Sequence, residues 1–89
     1  MNVQLGSIVA TPAAIRYMNE YFIDARYLIL RHRRADWGDM CDEDRKANDE
    51  ALAKHERVMS SFKNAGPEPV WVITERDRSV TTILMPSDY

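Results

Sequence analysis

The sequence is short of almost everything that builds a familiar site. Its 89 residues contain one cysteine, Cys41, two histidines, His32 and His55, and three glycines. A single thiol forms no internal disulfide, and one thiol with two separated histidines has no metal-ligand spacing. Gly6, Gly38 and Gly66 lie too far apart for a phosphate-cradling loop, and there is no nucleophile elbow. No apolar run approaches the roughly eighteen residues a helical membrane span requires. The opening stretch to Ala14 carries no basic n-region, which argues against a signal peptide. Bulk charge of one sign is missing too. Twelve Lys and Arg face fourteen Asp and Glu, for a net charge of -2. That balance excludes a strongly basic nucleic-acid binder and a chain that imitates DNA by bulk acidity. A reducing cytoplasm is the expected setting. A chain this short forms one small domain, 1–89, with little room for both a core and a deep pocket.

What is present is segregated charge. Arg31, His32, Arg33 and Arg34 form a basic cluster. Seven acids follow between Asp36 and Glu50: Asp36, Asp39, Asp42, Glu43, Asp44, Asp49 and Glu50. Apolar Val3 to Ala10, interrupted by Gly6, reads as an edge strand or an extended arm. Thr11-Pro12 is a helix start, with Thr11 capping and Pro12 where its missing N–H costs nothing. Ile15, Met18 and Phe22 follow at helical spacing. Asp24 caps a second helix with Ala25, Leu28 and His32 on one face. Asp36-Trp37-Gly38 breaks it, and a third helix runs from Asp39 or Asp42 to about Lys54. After His55 the period changes. The stretches from Arg57 to Phe62, Val70 to Glu75 and Ser79 to Met85 alternate and are rich in β-formers. A Gly- and Pro-containing loop joins the first two, and Arg76-Asp77-Arg78 is the connection of the last hairpin. The expected fold class is α+β: two to three helices packed on a C-terminal three-stranded antiparallel meander, with an N-terminal strand as an optional addition.

Each candidate for chemistry has a plain alternative. The calcium-loop pattern fails in the acidic run, because Gly38 and Met40 fall at ligand positions when counting starts at Asp36. Those acids read as a helix start with a solvated face. His32, near a helix end, reads as a structural hydrogen-bonding residue. A catalytic role would pair it with Asp44 or Glu75. Cys41 lies among acids, which disfavour the reactive thiolate. Trp71 reads as core. Trp37 either plugs the small core or meets a partner, and the plug is preferred. Glu75 shares a strand face with Trp71 and Ile73. If that face is the core, Glu75 needs Arg78 or His32 as a partner.

Several stretches together resemble a family of small bacterial plasmid-related proteins of mobile elements, many of them labelled automatically as type I restriction endonuclease subunit M. They are Ala10 to Ile15, His32 with Asp36 to Asp39, and Asp44, Asn48, Ala51 and Leu52. The strand from Arg57 to Phe62 and the closing stretch from Val70 to Tyr89 complete the match. Ala35 and His55 stand where that pattern places glycine. The methyltransferase label fails a chemical check, since the chain has neither a Gly-rich cofactor loop nor an Asn-Pro-Pro-aromatic motif. The resemblance implies a protein of a phage or plasmid that modulates a host or defence complex such as restriction or CRISPR machinery.

The functional expectation is therefore a non-enzymatic protein-interaction module without cofactor, metal or membrane contact. Its partner is a host protein or complex, and a homodimer is compatible with the sequence. The partner-contact candidates are Asp36, Trp37, Asp39, Arg31, Arg33, Arg34, Glu75, Arg76 and Arg78. The alternative is a small nucleic-acid-associated regulator working through the Arg31 to Arg34 cluster.

Overall fold

The computed structural model describes residues 2–89. Strand β1 (Ser7–Ala10) leads into helices α1 (Pro12–Glu20), α2 (Ala25–Arg33) and α3 (Asp42–Ala53). Strands β2 (Val58–Phe62), β3 (Val70–Thr74) and β4 (Val80–Leu84) follow, then a final 3-10 turn, Pro86–Asp88. The sheet order is β1-β4-β3-β2. The three C-terminal strands are antiparallel neighbours, but β1 runs parallel to β4. The sheet is therefore mixed. A parallel partner needs a long crossover, and α1 to β3 supply it.

The capping chemistry works as the sequence indicates at two helices and not at the third. Thr11 Oγ1 accepts from Ala14 N–H at 3.1 Å, and Asp24 Oδ1 accepts from Arg26 N–H at 2.9 Å. At α3 the capping position is Cys41, an exposed residue that makes no side-chain cap bond. Asp42, Glu43 and Asp44 instead fill its first turn, where the helix dipole favours acids. All three helices end alike. Ile23 N–H reaches Met18 C=O, Asp36 N–H reaches Arg31 C=O, and Glu56 N–H reaches Ala51 C=O. Each closure puts the preceding residue in the left-handed region: Phe22 (φ 56°), Ala35 (φ 61°) and His55 (φ 55°). Glycine is the residue suited to that site, and none is present.

Alternation decides which sheet face the helices cover. Val58, Ser60 and Phe62 of β2 lie beside Val72, Thr74 and Val70 of β3, and Thr81 and Ile83 of β4 continue the layer. All eight are buried. Ala14, Tyr17 and Met18 of α1 and Leu28 of α2 pack on this layer. A second cluster gathers Val3, Trp37 and Val58. The opposite face carries Trp71, which is half-buried and meets the Tyr89 ring edge-on at 5.7 Å. The helix-covered core is thus the Val72 face, not the Trp71 face. Glu75, on the Trp71 side, is consequently half-exposed.

Candidate functional site

A line of polar side chains crosses the buried layer. His32 is 0% exposed. Its Nδ1 lies 2.6 Å from Ser60 Oγ and its Nε2 2.9 Å from Thr74 Oγ1. Thr74 Oγ1 lies 2.7 Å from Thr81 Oγ1, which donates to Leu5 C=O at 2.7 Å. Proton counting fixes the direction of every bond. Thr81 spends its one proton on Leu5, so Thr74 donates to Thr81. Thr74 has then spent its own, so His32 Nε2–H donates to Thr74. The neutral ring leaves Nδ1 as an acceptor, filled by Ser60 O–H. Burial, followed by the nearby Arg78 guanidinium, pushes the His32 pKa down to about 4. His32 bonds two hydroxyls, not Asp44 or Glu75, the carboxylates that a catalytic role would pair with it. The ring is neutral and both its nitrogens are occupied.

This line ends at two sheet edges of opposite character. On the β2 edge the outward-facing N–H groups of Met59 and Ser61 and the Ser61 C=O are taken. Met59 N–H donates to Asn48 Oδ1 at 3.0 Å, and Ser61 N–H donates to Trp37 C=O at 3.1 Å. Ser61 C=O accepts from Asp39 N–H at 2.7 Å, and Lys63 N–H donates to Asp39 Oδ2 at 2.8 Å. Gly38 forms a bridge with Ser61, and a Cβ on Gly38 would overlap the Ser61 carbonyl. Only glycine permits that approach.

The β1 edge is open. Ser7 N–H donates to Ser79 C=O and Thr11 N–H to Ile83 C=O, both at 3.0 Å. In a parallel ladder the odd residues therefore face β4, and the N–H and C=O groups of Ile8 and Ala10 face away from the sheet. Ile8 is 51% and Val9 47% exposed. No charge or proline interrupts Ser7 to Ala10, the usual protection of an edge strand. Beside this edge lies a groove of about 450 Å³ between β1 and α2. Leu5, Ile8, Ala25, Ile29 and Leu30 line it, with Arg26 and Arg33 at its rim. Arg26 is paired with Asp24 at 3.1 Å.

The residues expected to meet a partner fall into three groups. The Asp-Trp-Gly loop is consumed internally. Trp37 is 1% exposed, with its Nε1–H donating to Asp49 at 2.9 Å, so it is the plug and cannot offer its ring to a partner. Asp36 accepts from Arg31 Nε–H at 2.8 Å and from Gly38 N–H at 3.1 Å. The Arg31 bond holds the Asp36 carboxyl below its ordinary range. Arg31 also lies over the Phe62 ring at 4.7 Å, and Asp39 is committed to the β2 edge. Arg33, Arg34 and Arg76 remain exposed. Glu75 lies 4.0 Å from Arg57, not from Arg78 or His32. Arg78 turns inward and donates to the backbone carbonyls of Glu56 and Glu75 at 2.7 and 3.1 Å. Asp77 Oδ1 caps the hairpin by accepting from Ser79 N–H at 3.0 Å, and the connection spans Glu75 to Ser79. Sequence reasoning missed Ser60, Thr74 and Thr81 as the partners of His32. Their signal was faint: three hydroxyls on the alternation positions of three apolar strands. No protein-family model, no curated protein and no solved structure matches this chain.

Proposed function

We propose that the chain is a non-enzymatic protein-interaction module that binds an extended segment of a partner protein along the β1 edge. The open backbone of Ile8 and Ala10 beside the apolar groove carries this reading. An added strand would pair with those four groups, and alternate side chains would enter the groove, the mode known as β-augmentation. The groove rim gives the occupant its charge. Arg26 is already paired with Asp24, so Arg33 favours a segment with an acidic residue next to the apolar one. His32 supports the non-enzymatic part, because the residue best suited to acid–base work is enclosed and saturated. The resemblance to plasmid-related proteins supports a mobile-element origin, with a host or defence complex such as restriction or CRISPR machinery as the source of the partner.

Photo-crosslinking tests the docking surface. A crosslinker at Ile8 should capture a protein from host cells at stoichiometric yield. The same group at Ile15, which is 47% exposed on α1, should not. Capture from Ile15 alone would refute the edge reading.

The second reading, a nucleic-acid-associated regulator, rests on Arg33 and Arg34, which stay exposed. Arg31 is withdrawn into its pair with Asp36, so the cluster is smaller than the sequence suggests. It requires salt-sensitive binding that falls when Arg33 and Arg34 become Ala. A flat titration at low salt removes it.

A further inference from the structure

The open stretch of β1 is bounded on both sides. Before it the chain turns at Gly6, whose φ is 63°. After it comes Pro12, which has no N–H to offer. Between those limits only Ile8 and Ala10 turn their N–H and C=O groups outward. The residue between them, Val9, pairs in register with Thr82 and turns its groups toward β4.

That set of groups is complementary to itself. In an antiparallel pair, opposed residues alternate between exchanging both backbone bonds and exchanging none. Place a second copy antiparallel, with Val9 opposite its Val9. Ile8 of each copy then falls opposite Ala10 of the other, and every outward group of both copies is bonded. Centring on Ile8 instead would set Ala10 opposite Gly6, where the strand has ended. The side chains agree with the Val9 register. Ile8 lies on the side of Thr81, in the helix-covered layer, and there it meets the smaller Ala10. The two Val9 side chains, each 47% exposed, meet on the other side. Charge agrees as well. The chain has twelve basic and fourteen acidic residues, yet none lies between Asn2 and Ile15. Two copies of this edge therefore approach without the like-charge repulsion that normally keeps edge strands apart.

We infer that a second copy of this chain occupies the β1 edge of the free protein, antiparallel about Val9, an inference that rests on the reading of that edge as a strand acceptor. The two four-stranded sheets then form one continuous sheet. The self-pair is the resting state of the docking surface, and a partner must displace it. A seam this short makes a weak pair that fills as protein concentration rises. The uncharged β1 of a second copy offers nothing to Arg33 at the groove rim. A partner segment with an acid at that point gains a contact the second copy lacks, and so wins the edge.

Disulfide trapping of the purified chain tests the register. Cys41→Ser removes the one native thiol, which is exposed. In that background Val9→Cys places two thiols at a pair that exchanges no backbone bonds. Its Cα atoms lie about 4.5 Å apart, within reach of a disulfide. Ile8→Cys is the control, with similar exposure, 51% against 47%. Its copies lie on a diagonal roughly 7–8 Å apart, too far to link. Mild oxidation should link Val9→Cys and leave Ile8→Cys unlinked. In sedimentation the unsubstituted chain should rise with concentration from 10.3 kDa toward twice that mass, and Ile8→Lys should not. The linked Val9→Cys pair, carrying the photo-crosslinker at Ile8, should capture no host protein. Equal linking at both positions, or a monomer mass at every concentration, overturns the self-pair. Host capture from Ile8 that persists in that case leaves the strand-acceptor reading standing. Selective linking at Val9 with no host capture from the unlinked chain sinks the host-partner reading and upholds the self-pair. Host capture undiminished by the link overturns the displacement.

Discussion

The two edges of the sheet are made from similar apolar strands and treated in opposite ways. On β2, three consecutive outward positions, Met59, Ser61 and Lys63, are closed by Asn48, Trp37 and Asp39. On β1, Ile8 and Ala10 present theirs to the surroundings. An unprotected edge invites another strand, and natural sheets normally block it with charge, proline or a covering element. This chain blocks one edge with a loop and a helix and leaves the other bare. The buried polar line joins them, running from Ser60 on β2 through His32, Thr74 and Thr81 to Leu5 just before β1. The difference teaches that the charged, aromatic centre of the sequence serves closure. The unremarkable apolar start is what remains available for contact.

The largest effect should come from dismantling the closed edge. Trp37→Ala removes the plug and should cost about 3–5 kcal/mol in urea unfolding. Trp37→Phe, which loses mainly the Asp49 bond, should cost far less.

Acid comes next, through the line that joins the edges. His32 has an ordinary value of 6.5 and a folded value of about 4. Between those pH values the unfolded chain binds a proton that the folded chain refuses, so stability falls as pH drops from 6.5 to 4. The loss is roughly 3 kcal/mol over that window. Denaturation midpoints measured across it should flatten in His32→Gln. Amide exchange at Ser7 and Val9 should also rise on acidification, because Leu5 is the last acceptor in the line. A uniform pH response in both proteins would break the connection drawn between the two edges.

Asn48→Ala should leave Met59 N–H unpaired and cost about 1–3 kcal/mol. Hydrogen exchange at Met59 should then rise toward the rate expected for the unpaired N–H of Ile8. The left-handed helix ends should respond in the other direction. Ala35→Gly should stabilise by about 1 kcal/mol, since φ is 61° there. A lower thermal midpoint in that variant would contradict the strain assignment. The smallest stability change belongs to Ile8→Lys on the open edge. A half-exposed position should shift unfolding by less than about 0.5 kcal/mol, yet the added charge should abolish partner crosslinking.

Much of the architecture was legible because it is written locally. Thr11-Pro12 and Asp24 start helices by their own chemistry, and the alternation in Val70 to Glu75 requires a strand wherever it is packed. The parallel placement of β1 was not legible. Four residues of Ser-Ile-Val-Ala specify a strand but not its neighbour, and Ser79 and Ile83, which accept its bonds, lie some seventy residues away. The site was read less well, for the same reason. Asp36, Trp37 and Asp39 look exposed because they are polar or lie in a loop, while their acceptors and donors, Arg31, Asp49, Ser61 and Lys63, are brought to them only by folding. Glu75 misled through a face assignment. Alternation put it with Trp71 correctly, but not which face the helices would cover.

The sequence by itself determined the order of helices and strands, because capping residues, β-branched alternation and turn chemistry act over a few residues. Only the tertiary structure decided which edge would be closed, that His32 would be neutral, and that Arg78 would turn inward to backbone carbonyls rather than to a carboxylate. Those outcomes depend on hydrogen-bond partners and desolvation, and both are set by which distant residues the fold brings together.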